Sequence, residues 1–480
     1  MAKWFATAGT FALLSFASTA AMAQEDNSFY DKLDIDALLN FQYIGEENND
    51  LGSSNEDYED SISEQFQLLI GANFTPDIYG FFHGRALNID GETGFDDDTG
   101  DAIPLDQSFL ELRQLYLRFE DLFDYDPAYI QVGRQRIREP RAIWWNSDQD
   151  LIKAGIDSTL FSAFLAAGEN LSSYRNNTDI DFQADDEDRF RVLGEASWQY
   201  TYNHFFETRF LYEDDHSGLE SVGTLIPAND RDDEDQELFW AGVRAAGEFT
   251  NFDNPYPRIK YRADLIGLTG EKSLLSTVSA GTDFRSVTGG RTRDVRAWAF
   301  DGNLLFNPFE ELGVVFGLGY AFGSGEDDPN GTGTSNEFRQ SDLDGNSSRL
   351  GLERNQQRNY GEVLRPELSN LHIANAGVAV PFSEYSDVAV NYFYYHLDEE
   401  TTRLHSSSIS APMNNSDKEV GHAIDVGLYV DLDDEFNFEL PYTRDVDFRA
   451  VFGSFIPGDA YQPNDTDKAF RIFTEVKFRF

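Results

Sequence analysis

Apolar and polar residues alternate with a period of two in stretch after stretch of this chain. Phe190, Val192, Gly194, Ala196 and Trp198 alternate with Arg189, Arg191, Leu193, Glu195, Ser197 and Gln199. Ile259, Tyr261, Ala263 and Leu265 alternate with Arg258, Lys260, Arg262 and Asp264, and Ile424, Val426 and Leu428 with Ala423, Asp425 and Gly427. A period of two sends successive side chains to opposite faces of a strand, so each strand here needs one apolar and one wet surrounding. After the N-terminal segment there is no run of about 18 apolar residues, which rules out a transmembrane helix. The expected fold class is all-β. One stretch breaks the rule: the leucines of Leu110–Phe119 change face near Gln114, as a β-bulge would make them do.

Composition narrows what such strands can build. The 480 residues carry a formal net charge of −49, which opposes binding to a phosphate backbone and excludes a nucleic-acid partner. There is no Cys, which removes disulfide scaffolds, Cys-ligated metals and thiol nucleophiles. Aromatic residues make up 14%, far more than a disordered chain holds.

Both ends of the chain give an address. Lys3, the apolar stretch Phe11–Ser18 and Ala21-Met22-Ala23 form a signal peptide over residues 1–23, leaving 24–480 as one exported domain. At the other end Phe470, Ile472, Thr474, Val476, Phe478 and Phe480 share one strand face, opposite Arg471, Glu475, Lys477 and Arg479. A terminal strand of this kind suits the last strand of a Gram-negative outer-membrane β-barrel, since a soluble sheet ending on such an edge would aggregate. The linkers come in two sizes. Asn251–Pro257 and Asn307–Glu311 are short, whereas Gly45–Asp60, Ile89–Asp106, Asp214–Asp235, Glu326–Arg365 and Asp398–Glu419 are long. That asymmetry matches short periplasmic turns and long extracellular loops, and about ten residues per strand gives roughly 17 candidates, hence 18 strands or 16.

Charge is distributed unevenly. Acids cluster in the long segments, at Glu46–Asp50, Glu56–Asp60, Asp96–Asp98, Asp185–Asp188 and Asp230–Asp235. They form either a solvated, self-repelling surface or ligands for divalent cations bridging to lipopolysaccharide. Bases sit on the polar strand faces instead: Arg258, Lys260 and Arg262 together, then Arg189 with Arg191, Arg244 and Arg449. In a barrel these faces line the lumen, where rings of Arg and Lys select anions and the planar guanidinium fork suits carboxylates. Pairing of these bases with acids such as Asp264, Glu195 and Glu475, merely to fill a polar interior, is the alternative.

Two strings carry a resemblance. The first is Gly133-Arg134-Gln135-Arg136-Ile137-Arg138-Glu139, followed by Trp144-Trp145-Asn146 and Asp157. The second is Phe338-Arg339-Gln340, followed by Arg354, Arg358, Tyr360-Gly361-Glu362 and Glu367-Leu368-Ser369-Asn370-Leu371. In order and spacing they resemble the alginate-export family of outer-membrane proteins. The resemblance implies an 18-stranded barrel that exports a polyuronate through an Arg-rich constriction. It also implies a long extracellular loop and a periplasmic turn that occlude the pore at rest, and periplasmic export-complex partners. Carried over residue by residue it marks Arg134, Arg136, Arg138, Arg354, Arg358 and Arg449, with Arg85 as an early lumen base and Lys153 near Asp157.

The expected function is a passive outer-membrane channel for an anionic polysaccharide, with Arg85, Arg134, Arg136, Arg138, Lys153, Arg258, Arg262, Arg354, Arg358 and Arg449 lining the lumen. The expected partners are an anionic polysaccharide or oligo-uronate, outer-membrane lipid and lipopolysaccharide, and periplasmic export proteins. No cofactor, metal or catalytic residue is expected. A general anion or acidic-sugar porin is the alternative within the class. An outer-membrane hydrolase lacks support, because there is no G-x-S-x-G string and the seven His are scattered. A purely structural or adhesive barrel is motivated by the acidic loops alone.

Overall fold

Strands long enough to cross a bilayer, each with one apolar face, can satisfy their backbones in lipid only by closing into a barrel. The computed structural model describes residues 32–52, 58–91, 107–171, 174–176, 189–215, 218–227, 234–249, 259–281, 284–309, 312–327, 331, 333–350, 355–437, 440–463 and 467–480. The proposed signal peptide and the candidates Arg258 and Arg354 lie outside these residues.

Eighteen antiparallel strands close one barrel. They are β1 (Leu33–Glu47), β2 (Tyr58–Thr75), β3 (Ile78–Gly91), β4 (Gln107–Phe119), β5 (Ala128–Arg138), β6 (Asn146–Asp157), β7 (Phe161–Gly168), β8 (Arg189–Thr201) and β9 (His204–Asp215). Then follow β10 (Glu234–Phe249), β11 (Ile259–Ser279), β12 (Phe284–Phe309), β13 (Val314–Gly323), β14 (Leu371–Pro381), β15 (Ser386–Leu397), β16 (Glu419–Asp431), β17 (Asp445–Pro457) and β18 (Ala469–Arg479). The terminal strand closes the ring as its pattern predicts, pairing with β1 from Leu38 opposite Arg479 to Glu47 opposite Phe470. Among the described residues no helix is long and apolar enough to cross a membrane.

The alternation settles which face is which. Ile152 (61% exposed), Leu318 (59%) and Trp298 (50%) point outward, whereas Leu151, Leu193, Asp264 and Arg449 from the opposite faces are buried inside. The strand ends that border the five long segments named above lie at one end of the barrel, and the start of β1 and the end of β18 lie at the other. The break near Gln114 is a bulge. His83 pairs with Gln114 and Gly84 with Leu112, so Arg113 is the extra residue and the inward face passes, along the chain, from odd to even numbers.

The largest apolar cluster does not lie between sheets. It fills the barrel itself, joining inward residues such as Leu193, Leu211, Trp240, Leu268 and Val295 to Trp144, Trp145, Phe338, Leu343, Tyr360 and Leu364 of two connecting segments.

Candidate functional site in the barrel interior

The first string makes a hairpin that leaves the wall. β4 pairs with β5 only from Leu115 to Phe119, opposite Ile130–Arg134. Above that, the β4 edge is taken by the segment after β7: the Leu112 amide donates to Tyr174 O and the Asn176 amide to Leu110 O. The upper β5–β6 hairpin thus inclines into the lumen, and its tip 139–145 reaches the far wall. Trp144 lies against Gly242 of β10, where even a Cβ would come within 2.5 Å of the indole. Trp145 meets Phe164 edge-on at 6.2 Å.

Glu139 organises this tip. Its carboxylate accepts from the amides of Arg141 (3.0 Å), Ile143 (2.5 Å) and Trp144 (3.4 Å), and pairs with Arg244 at 2.8 Å. Burial alone would raise its pKa, but Arg244, Arg209 and Arg262 outweigh it and hold the carboxyl down to about 2.

The second string lies in the connection 324–370, which packs onto the hairpin tip and then crosses the lumen. The Gln340 amide donates to Ile143 O (2.9 Å), Ser341 Oγ to Trp144 O (2.9 Å) and Asn359 Nδ2 to Arg141 O (2.7 Å). Farther across, Tyr360 donates its hydroxyl to Asp301 of β12 (3.2 Å), Tyr395 of β15 donates to Tyr360 O (2.9 Å), and the Glu362 amide donates to Asp425 of β16 (2.9 Å). Arg365 ends the crossing by pairing with Glu46 of β1 at 2.5 Å. Gly361 has φ +96, and its missing Cβ would strike the Tyr395 hydroxyl, so only glycine makes this turn here. Hairpin tip and connection together form a partition inside the barrel.

The arginines gather around the partition, but with acids beside them. Arg85 pairs with Glu111 at 2.7 Å, which also takes Arg175 at 3.0 Å, and Arg113 pairs with Asp148 at 2.5 Å. Arg134 stacks over the Tyr174 ring at 3.9 Å with Asp150 at 3.8 Å, and Arg136 donates to Asn146 at 2.8 Å. Arg141 pairs with Asp301 at 2.9 Å and Arg244 with Asp264 at 2.6 Å. Arg358 donates to Gly345 O at 3.2 Å, and Arg449 lies 4.4 Å over the Phe473 ring with Glu475 at 4.0 Å. Lys153 sits 5.3 Å from the Phe164 ring centroid, Arg262 is half-buried on the inward face of β11 with no acid in ion-pair distance among the described residues, and Arg138 is exposed at the top of β5. The buried interior holds at least as many carboxylates as guanidinium groups. The excess of bases read from a few strand faces therefore does not extend to the interior. Buried cations need counter-charges, which the sequence places on neighbouring strands.

Sequence reasoning passed over Arg113, Arg141, Arg365 and Arg471. Arg141 and Arg365 lie within or beside the two strings, Arg113 at the face change that marked the bulge, and Arg471 on the polar face of the last strand. Each stood next to a feature already noticed.

The alginate export model matches residues 35–475. The chain belongs to the alginate export family. It is similar to the alginate production protein AlgE of Pseudomonas aeruginosa, 29% identical over 381 residues that cover 78% of this chain and 75% of that protein. The AlgE proteins of Pseudomonas syringae pv. tomato and Azotobacter vinelandii are each 26% identical and again cover 78% of this chain and 76% of their own lengths. Among solved structures the fold is similar to Pseudomonas aeruginosa OccK9 (OpdG), with a TM-score of 0.56, 10% identity, and coverage of 95% of this chain and 100% of that one. Acinetobacter baumannii OccAB1 gives a TM-score of 0.55 at 11% identity, covering 95% of this chain and 99% of that one. This member of the alginate export family is an outer-membrane β-barrel of a Gram-negative bacterium with a porin-like fold.

Proposed function

We propose that the chain is a non-catalytic, passive conduit for an alginate-like polyuronate, and that its interior guanidinium groups carry the selectivity. The observation that supports this is the belt of arginines at the partition, among them Arg85, Arg113, Arg136, Arg141, Arg244 and Arg358, most of them sharing a carboxylate or carbonyl. A uronate carboxylate is chemically the same acceptor as the Asp or Glu it would displace. Each exchange is nearly balanced, so a sugar unit enters and leaves a series of sites without being trapped at any of them. Arg262, which shares Glu139 and Asp264 only at a distance, is the cation most ready to take a carboxylate of its own. The aromatic outward face meets outer-membrane lipid, and the short-turn end is where periplasmic export proteins dock.

Single-channel recording of the refolded chain in a planar bilayer tests the reading. Oligo-uronate added to the short-turn side interrupts an anion-selective current, and monomeric uronate at the same carboxylate concentration interrupts it less. Arg136→Ala and Arg358→Ala each shift the reversal potential toward zero while the barrel stays folded. A cation-selective current, or reversal potentials untouched in both variants, rejects the proposal.

A further inference from the structure

At the short-turn end the period of two separates two sets of large apolar side chains. Leu115, Leu117 and Leu165 point to lipid, whereas Tyr79 and Phe81 of β3, Tyr116 of β4, Tyr129 of β5 and Phe164 of β7 lie on the inward faces. Inward rings cannot belong to the interfacial belt that anchors a barrel in lipid. Tyr79, Phe81, Tyr116 and Phe164 are only half-buried, and on an inward face that exposure is to the lumen. Tyr79, Phe81 and Tyr116 also stand outside the apolar cluster that fills the barrel. Contiguous apolar surface left open in this way marks a place where something binds.

The rings form a path from the mouth to the partition. Tyr79 stands next to the turn 76–77 that opens β3. It stacks on Phe81 at 6.4 Å, and Phe81 meets Tyr116 at 5.3 Å and 30°. The Arg118 guanidinium, on the same face of β4, lies 3.8 Å over the Tyr129 ring. Lys153 Nζ stands 5.7 Å from the Tyr129 centroid and 5.3 Å from that of Phe164, and Phe164 meets Trp145 of the partition at 6.2 Å. Two glycines let rings lie against the wall with a face free. A Cβ at Gly71 would come within 3.3 Å of ring carbons of Tyr79, and one at Gly155 within 2.5 Å of Tyr129. Arg118 keeps Glu120 at 2.8 Å and Asp157 at 3.4 Å and serves to brace Tyr129. Lys153 has no carboxylate in ion-pair distance among the described residues; Asp157 and Glu195 act on it only from farther away.

We infer that this path is a sugar-binding track on the short-turn side of the partition. Uronosyl rings lay their C–H faces on Tyr79, Phe81, Tyr116 and Phe164, and their carboxylates reach Lys153. Stacking on a ring face demands no fixed hydrogen-bond geometry, so a unit passes from one ring to the next without being held at any of them. The inference rests on the polyuronate reading above and adds a site for the sugar ring itself, where the guanidinium belt recognises only its carboxylate.

Titration calorimetry on the refolded chain tests it, with alginate-derived oligo-uronate as probe and a neutral gluco-oligosaccharide of equal length as control. The oligo-uronate binds more tightly than the neutral sugar. Phe81→Leu with Tyr116→Leu keeps apolar bulk but removes two rings, and raises the dissociation constant about ten-fold; Tyr79→Leu alone raises it about three-fold. Both leave the salt dependence of binding as in wild type. Lys153→Met raises the constant about three-fold and flattens the salt dependence, because it removes charge and not ring surface. Heat-modifiable migration on gels verifies that each variant is folded. Wild-type affinity in the folded Leu variants overturns the track, as does a neutral sugar that binds as tightly as the oligo-uronate. If Arg136→Ala and Arg358→Ala shift the reversal potential while the Leu variants bind as wild type does, the track alone fails. If oligo-uronate neither binds nor interrupts the current, the polyuronate reading fails with it.

Discussion

The two sides of the interior are closed by opposite means. On the β8–β12 side an apolar layer of Leu193, Leu211, Leu238, Trp240, Ile266, Leu268 and Val295 packs against the hairpin tip and the crossing connection, with charged pairs such as Arg244–Asp264 on the same faces. On the β1–β3 side, beside Glu46 and Arg85, lies a run of amides and hydroxyls bonded to one another. Asn40 and Gln42 donate to Glu475 at 2.6 and 3.0 Å, Ser63 and Gln65 donate to Gln42 at 3.1 Å, and His83 meets Gln67 at 2.9 Å. Opening the first side would expose apolar surface at about 25 cal/mol per Å². Opening the second only exchanges side-chain hydrogen bonds for bonds to water or sugar hydroxyls, each a net change of about 1 kcal/mol. The apolar layer is thus the more firmly held part of the interior.

The strongest test of this contrast is to dismantle the apolar side. Trp144→Ala with Trp145→Ala removes two indoles that anchor the tip, at a cost of about 3–5 kcal/mol each. The partition should loosen, and single-channel conductance should rise several-fold above wild type; an unaltered conductance would place the passage away from the partition.

Glu139→Ala sharpens the electrostatic half of the same argument. It strips three amides of their acceptor and leaves Arg244 without one of its buried acids, a loss of about 3–5 kcal/mol. Hydrogen exchange at the Ala142–Trp145 amides should accelerate while exchange in β10 and β11 stays slow. Equal protection in wild type and variant argues that Trp packing alone holds the tip.

On the polar flank, Gln42→Leu with Gln65→Leu should lower oligo-uronate block rather than raise conductance. Glu475 loses one of its two amide donors and the Ser63 hydroxyl its acceptor, a cost of about 1–3 kcal/mol for a group left unsatisfied. A rise in conductance would show that this flank is a seal like the other.

The smallest effect is in pH. Glu139 holds its proton less tightly in the fold, at about 2, than its ordinary 4.5. Its contribution is therefore complete above pH 4.5 and fades as pH falls toward 2. Conductance measured across that window should climb in wild type and stay flat in Glu139→Gln.

Much of this was legible in the residues. The period of two fixed which side of each strand meets lipid, because a slip of one residue would put Arg191 or Asp264 into hydrocarbon. The face change near Gln114 announced its bulge, the terminal Phe face its pairing with β1, and the long and short linkers the two ends of the barrel. Arg136 and Arg358 belong to the two segments that build the partition, and their strings were visible as strings. Their company was not. Glu111 meets Arg85 from the neighbouring strand, Asp301 meets Arg141 from 160 residues away, and Glu46 meets Arg365 across 319. Periodicity is a local property and reports faces. Charge balance in a closed barrel depends on which strands the ring and the inward-folded connections bring together. Alternation alone dictates a lipid-facing surface and a polar interior; the partition belongs to the folded ring, because long-range contacts between a hairpin tip and a loop nearly two hundred residues later build it.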